Sequence, residues 1–271
     1  MDRLPARPPG GPPPRVWWCP AAAAAVLPLH AAGRYPRTGG DPVRPAGVPY
    51  EVVSSYTTTL ASLSLARNRP AAPPGRVLAV GLTDTGRGHR RLPGVAAELA
   101  ALREHLGDRL TVLREEHATV EAVRGHLPGR PRAHFACHGG SGLFTGSSAG
   151  LCLRDGDLTL RDLADLRLDH AELAFLSACH THVGTTLLPD EALHTAAAFR
   201  MAGFRHVVAG LWAVHDTVAP LVTASFHRRL GTARGPGSAG VATALHEAVA
   251  ALRADHLTDP TVWVPFIHNG P

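Results

Sequence analysis

The chain contains no lysine, so all 27 of its cationic side chains are arginine. They are scattered, and no basic run stands beside aromatics, so the formal net charge of +5 implies neither a nucleic-acid groove nor a membrane-surface helix. Cysteine is also sparse. Cys19, Cys137, Cys152 and Cys179 show no C-x-x-C spacing, which excludes a disulfide framework and fits free thiols in a reducing compartment. Long apolar runs are missing too. Ala21 to Leu29 is broken by Pro28 and falls well short of the roughly 18 residues that span a bilayer. Met1 to Pro14 is rich in Pro and Arg and lacks the apolar centre of a signal peptide. A cytoplasmic protein is expected.

What is present is the composition of a folded domain: 45% hydrophobic and 18% charged over 271 residues, with no internal repeat. Residues 1–15 read as a disordered Pro/Arg-rich lead-in, and 16–271 as a single domain in which 16–75 is an N-terminal extension packed on the core. Within that extension, Val16 to Cys19 reads as a strand and Ala21 to Gly33 as a second. Tyr50 to Asn68 reads as one helix. From Val77 strands and helices alternate. Val77–Gly81, Leu110–Leu113, Ala133–Cys137, Leu173–Leu176 and His206–Trp212 read as strands; Gly94–Leu106, Ala118–Leu127, Asp190–Met201, Asp216–Leu230 and Ser238–Ala254 read as helices. Asp155-Gly156 favours a two-residue hairpin turn between alternating leucines, and Thr261–Ile267 a closing strand, with Pro265 marking an edge or an early end. The alternation predicts an α/β fold with a mostly parallel sheet covered on both faces.

Two of these strands end in reactive side chains. Glu172-Leu-Ala-Phe-Leu-Ser-Ala-Cys179 brings a thiol to a strand end, and Arg132-Ala-His-Phe-Ala-Cys-His138-Gly-Gly140 brings an imidazole. Neighbouring parallel strands would place both at one carboxyl edge, about 5 Å apart per strand step. A thiol beside an imidazole suits nucleophilic attack on a carbonyl, with Gly139-Gly140 leaving backbone amides open to an oxyanion. Two plainer readings compete. A cysteine is often a small buried hydrophobe, and Cys179-His-Thr-His182 with His138 carries the donors zinc prefers, though its spacing matches no closed structural site. Cys137 and Cys152 sit inside apolar runs and read as packing residues. His30, His134, His206 and His268 read as structural or surface histidines.

His134-Phe-Ala-Cys-His-Gly139, Leu176-Ser-Ala-Cys-His-Thr181, Ala202-Gly-Phe-Arg-His-Val-Val-Ala-Gly-Leu-Trp-Ala-Val-His-Asp216 and the closing Trp263-Val-Pro-Phe-Ile-His-Asn-Gly-Pro271 resemble the CHAT family of bacterial caspase-like domains, often found behind tetratricopeptide repeats. Fainter similarity reaches Trp17-Trp-Cys and Leu27 to Gly33. The resemblance implies a caspase-like three-layer α/β/α sandwich and cysteine peptidase chemistry without cofactor or metal. It makes His138 the general base, Cys179 the nucleophile, and the amides of Gly139 and Cys179 the oxyanion hole. It also implies a protein substrate and a tetratricopeptide or other sensor partner, or alternatively a catalytically silent interaction module. Two features depart from the usual pattern: Pro20 to Ala25 stands where a Gly-containing turn is common, and His180 follows the nucleophile. Acids in the loops after the two central strands, Asp190, Glu191 and Asp216, are candidates for a pocket selecting Arg or Lys before the cleaved bond, with Trp212 as a wall. The plainer reading of Asp216, and the favoured one, is the N-cap of the helix to Leu230.

Overall fold

The computed structural model describes residues 11–21, 24–25, 27–36, 43–72, 75–140, 150–177, 179–180, 191–232 and 238–271. In chain order the elements are β1 (Arg15–Trp18), β2 (Gly33–Arg34), β3 (Ala46–Gly47), α1 (Val48–Glu51), β4 (Val53–Tyr56), α2 (Leu60–Asn68), β5 (Val77–Gly81), α3 (Gly94–Leu106), β6 (Leu110–Arg114) and α4 (Val120–His126). They continue with β7 (Arg132–Ala136), β8 (His138–Gly140), β9 (Gly150–Cys152), β10 (Asp157–Thr159), α5 (Leu160–Asp165), β11 (Leu173–Leu176) and β12 (Cys179–His180). The last are α6 (Glu191–Ala202), β13 (His206–Gly210), α7 (Ala219–Thr232), α8 (Ser238–Asp255) and β14 (Phe266–Asn269).

Among the described residues, eight strands form the central sheet in the order β1-β4-β14-β13-β11-β7-β5-β6. Neighbours run parallel except at β13–β14, so β1, β4 and β14 point against the other five. Each central strand buries both faces, with alternate residues going to opposite layers. Leu78, Val80, Phe135, Ala174, Leu176 and Val207 face a core shared with α4, α5 and α6 through Val123, Leu163 and Phe199. Phe175 and Val208 face the other way, toward Val222 and Phe226 of α7 and Leu245 of α8. Ala79 and Ala136 do the same toward Val95, Leu99 and Leu102 of α3. The result is a three-layer α/β/α sandwich with helices on both faces. No described helix is long and apolar enough to cross a membrane.

Three local expectations are corrected. The segment 50–68 is not one helix: α1 ends at Glu51, β4 follows, and α2 begins only after Thr59, whose hydroxyl accepts from the Ser62 amide. Val52, Val53 and Tyr56 favour extended backbone, and pairing of β4 with β1 and β14 overrides the weak helical spacing. The closing strand starts later than Thr261. Pro260 opens a 3₁₀ turn through Val262, and β14 forms only beyond Pro265, which has no N–H to give a ladder. The hairpin after Gly150 pairs Cys152 with Asp157, leaving a four-residue loop from Leu153 to Gly156 instead of a two-residue turn. Leu153 N–H closes it on the Gly156 carbonyl at 2.8 Å.

Candidate active site

β7 and β11 are neighbours, with Leu173 opposite Arg132 and Leu176 opposite Phe135. Both run on, past their carboxyl ends, into a second described sheet of order β10-β9-β8-β12. There β8 and β12 pair in parallel, and His138 is the register partner of Cys179, with Gly139 opposite His180. The two sequence-marked strand ends therefore meet at one edge. Gly139 lies in β8 between His180 on one side and Leu151 of β9 on the other.

The His138 ring is 1% exposed. Its Nε2 lies 2.5 Å from the Arg90 carbonyl oxygen. A carbonyl only accepts, so Nε2 carries the proton and donates, and in the neutral ring Nδ1 keeps the lone pair. His89 stacks on the ring with centroids 5.2 Å apart. Burial is the main reason the His138 pKa falls below the usual histidine value; the His89 and Arg90 side chains add to the fall, while the bond to the Arg90 carbonyl and the charge of Asp216 oppose it. The ring is thus held neutral at neutral pH, the form a base requires.

The loop between β5 and α3 places that carbonyl. Its start is tied to β6 by Glu115, whose carboxylate accepts from the Thr83 amide at 3.1 Å while its own backbone sits at φ 47°, a conformation non-glycine residues rarely hold. Leu92 N–H closes the loop on the Thr83 carbonyl at 2.8 Å, and the Thr85 hydroxyl meets His89 Nδ1 at 2.8 Å. At the loop's end the Asp216 carboxylate accepts from the Gly94 amide at 2.7 Å. Any Cβ at Gly94 would strike the Asp216 backbone oxygen, so glycine is required there. Sequence reasoning missed this loop as a holder of His138. Its one legible sign was position, after a strand at the same sheet edge; a backbone carbonyl has no residue signature.

Beneath the strand ends lies a buried polar cluster. Glu98 of α3, 2% exposed, accepts from Ser177 Oγ at 3.0 Å, from Thr223 Oγ1 at 2.9 Å and from His134 Nε2 at 3.1 Å. His134 stacks on Phe175, with His227 5.6 Å away. Ser177 N–H in turn bonds the Phe135 carbonyl at 2.9 Å. The cluster thereby ties α3, α7, β7 and the end of β11, two residues before Cys179, into one unit.

Of the other sequence candidates, Asp190 lies outside the described residues. Of Cys179 and Glu191 the structure describes only their places in β12 and α6. Asp216 has its carboxylate on Gly94, across the chain, and is near enough to act on His138 electrostatically. Trp212, just past β13, is half-buried against the α7–α8 core. Cys137 and Cys152 are buried and Cys19 exposed; burial is the main cause that pushes the Cys152 thiol up to about 11. No three His, Cys, Asp or Glu side chains among the described residues gather as metal ligands.

Comparison with known proteins fits this architecture. Among solved structures, the complex of the Porphyromonas gingivalis RgpB pro- and mature domains superposes with a TM-score of 0.55 at 12% identity, over 81% of this chain and 55% of that one. The Saccharomyces cerevisiae separase–securin complex gives 0.57 at 12%, over 82% of this chain and 14% of the other. The Arg-specific cysteine proteinase gingipain R gives 0.57 at 11%, over 81% and 54%. The chain thus spans about half of each gingipain chain and a small part of separase. These relatives define the fold as that of the caspase-like cysteine peptidases. The CHAT domain family profile matches residues 3–271, and the chain belongs to that family. No curated protein matched by sequence.

Proposed function

We propose that the chain is a cysteine endopeptidase acting on a protein partner in the cytoplasm, regulated through a tetratricopeptide or other sensor protein. The reading is carried by one observation: His138 and Cys179 are paired in register on adjacent parallel strands at the sheet's carboxyl edge. The Arg90 carbonyl supports it by directing the His138 lone pair to Nδ1. In the proposed reaction Nδ1 takes the Cys179 thiol proton and the thiolate adds to the peptide carbonyl carbon. The amides of Gly139 and Cys179 stabilise the oxyanion. The imidazolium then protonates the leaving amine as the C–N bond breaks. Water, deprotonated by the same ring, hydrolyses the thioester and returns the thiol. Asp216, Asp190, Glu191 and Trp212 are proposed to form the pocket before the cleaved bond, and an acid there favours arginine or lysine. The Arg-specific gingipain relative has the same fold.

Alkylation with iodoacetamide tests the dyad without a known substrate. Cys137 and Cys152 are buried, so Cys19 is the reference thiol. Cys179 is expected to react at least about tenfold faster than Cys19 near pH 7, and His138→Ala to abolish the difference. Termini released in a proteome by wild type and absent with Cys179→Ala would identify the substrate; cleavage that persists in Cys179→Ala overturns the mechanism. Equal labelling of Cys19 and Cys179, with no cleavage, would establish the silent interaction module.

A further inference from the structure

Far from the His138 edge, a small, partly open cleft of about 40 Å³ lies between α1, β4, α8 and the approach to β14. Its walls are mostly apolar, including Val52, Leu245, Val249 and Ile267, and neither aspartate nor glutamate lines it. It does contain a cation. Arg253 of α8 is only 8% exposed. Its guanidinium gives one hydrogen bond, to the Pro49 carbonyl at 2.9 Å, and lies 4.1 Å from the Tyr50 ring centroid and 5.6 Å from that of Trp263. No carboxylate pairs with it among the described residues. An arginine can donate five hydrogen bonds, and a charge withdrawn from water this far ordinarily has a counterion. The aromatic faces compensate only part of that loss.

Two further donors on the same wall point the same way. Trp263 is fully buried, and its Nε1 has no hydrogen-bond partner; Ser54 Oγ is likewise buried and unpartnered. Two of the three histidines that line the cleft offer no alternative charge. His30 is engaged on both ring nitrogens, by Tyr56 and by the Val264 carbonyl, and burial holds its pKa at about 4. His268 is also held neutral by burial.

We infer that this cleft binds a small carboxylate with an apolar body, an aliphatic or aromatic acid, whose charge pairs with Arg253 while its hydrocarbon lies against Val52, Leu245 and Val249. An apolar wall discriminates against hydrated inorganic anions, and a planar guanidinium matches a carboxylate in two-point geometry. The site shares no strand with His138 or Cys179, so it stands whether or not the chain is a peptidase.

Titration calorimetry on the intact chain tests it with two matched pairs, octanoate against octanamide and 3-phenylpropionate against its amide. At least one acid is expected to bind with a dissociation constant below about 1 mM and its amide at least about tenfold more weakly, a comparison that needs no variant. Arg253→Met should abolish acid binding. Because that change can unsettle the fold, Ser54→Leu, which only fills the wall, should weaken both acids while the unliganded melting temperature stays near wild type. Absence of binding by both acids overturns the proposal, as does equal binding of acid and amide or binding that survives Arg253→Met.

Discussion

The two edges of the central sheet both carry histidines, wired in different ways. At the carboxyl edge His138 gives one ring nitrogen to the Arg90 carbonyl and stands in register with Cys179. Toward the opposite edge a row of side chains crosses four strands and reaches the residue before β11. Arg15 donates to Ser55 Oγ at 2.7 Å, Ser55 meets His268 Nδ1 at 2.8 Å, and His268 Nε2 meets His206 Nδ1 at 2.9 Å. His206 Nε2 then faces the Glu172 carboxylate at 3.6 Å. Arg15 can only donate, so one direction satisfies the hydrogen-bonded part of the row: Ser55 donates to His268 and His268 Nε2 donates to His206, whose own Nε2 makes no hydrogen bond. Burial keeps both rings neutral. A histidine with both nitrogens committed to side chains of its own sheet is a brace. One bonded to a backbone carbonyl and standing in register with a strand-end cysteine is the histidine proposed as the base.

Substitution should separate the two. His138→Ala is expected to lower any cleavage activity at least about 10³-fold with little change in melting temperature, measured on the substrate found by terminomics. His268→Ala should do the reverse. It leaves Ser55 and His206 without their partner and opens a cavity, so a loss of about 2–4 kcal/mol in urea unfolding is expected, with Cys179 alkylation preserved in the folded fraction. Equal effects of both changes on stability would erase the distinction.

Acid should weaken the brace and the buried His30 and His227 alike. A histidine whose pKa is lowered on folding binds more protons when unfolded, so its contribution is intact above about pH 6.5 and lost as pH falls toward the folded value. His30 alone, lowered to about 4, accounts for about 3 kcal/mol across that window. His206, His227 and His268 shift the same way. Urea midpoints that hold constant from pH 7 to 4.5 would contradict this. Glu98→Gln replaces one of the carboxylate's two acceptor oxygens by an NH₂ facing the Ser177, Thr223 and His134 donors. It should cost about 1–3 kcal/mol and slow Cys179 alkylation through the strand it supports. The smallest effect belongs to the partly exposed Arg124–Asp162 pair, where Arg124→Ala should change stability by less than about 1 kcal/mol.

Much of this was legible in the residues. The apolar runs at Val77, Leu173 and His206 fall in β5, β11 and β13, because a strand buried on both faces needs unbroken apolar residues. The α3 boundaries follow from Val95, Leu99 and Leu102 on one side and Gly107 at the end. The region 50–68 misled because its apolar spacing is compatible with a helix while Val52 to Tyr56 has partners in β1 and β14, far away in sequence. His134, His206 and His268 were indistinguishable in sequence from a surface histidine, since their partners Glu98, Glu172 and Ser55 lie at least 34 positions away.

By itself the sequence determined the alternation of strands and helices, the order of the strand-end motifs, and which two reactive side chains stand at strand ends; these depend on local periodicity and residue type. Only the tertiary structure decided that His138 takes its proton orientation from the Arg90 carbonyl, that Asp216 bonds α3 at Gly94, and that Arg253 is buried against the Pro49 carbonyl with no acid beside it among the described residues. Each of those involves a contact between segments distant in the chain made to a backbone group, and no local pattern encodes it.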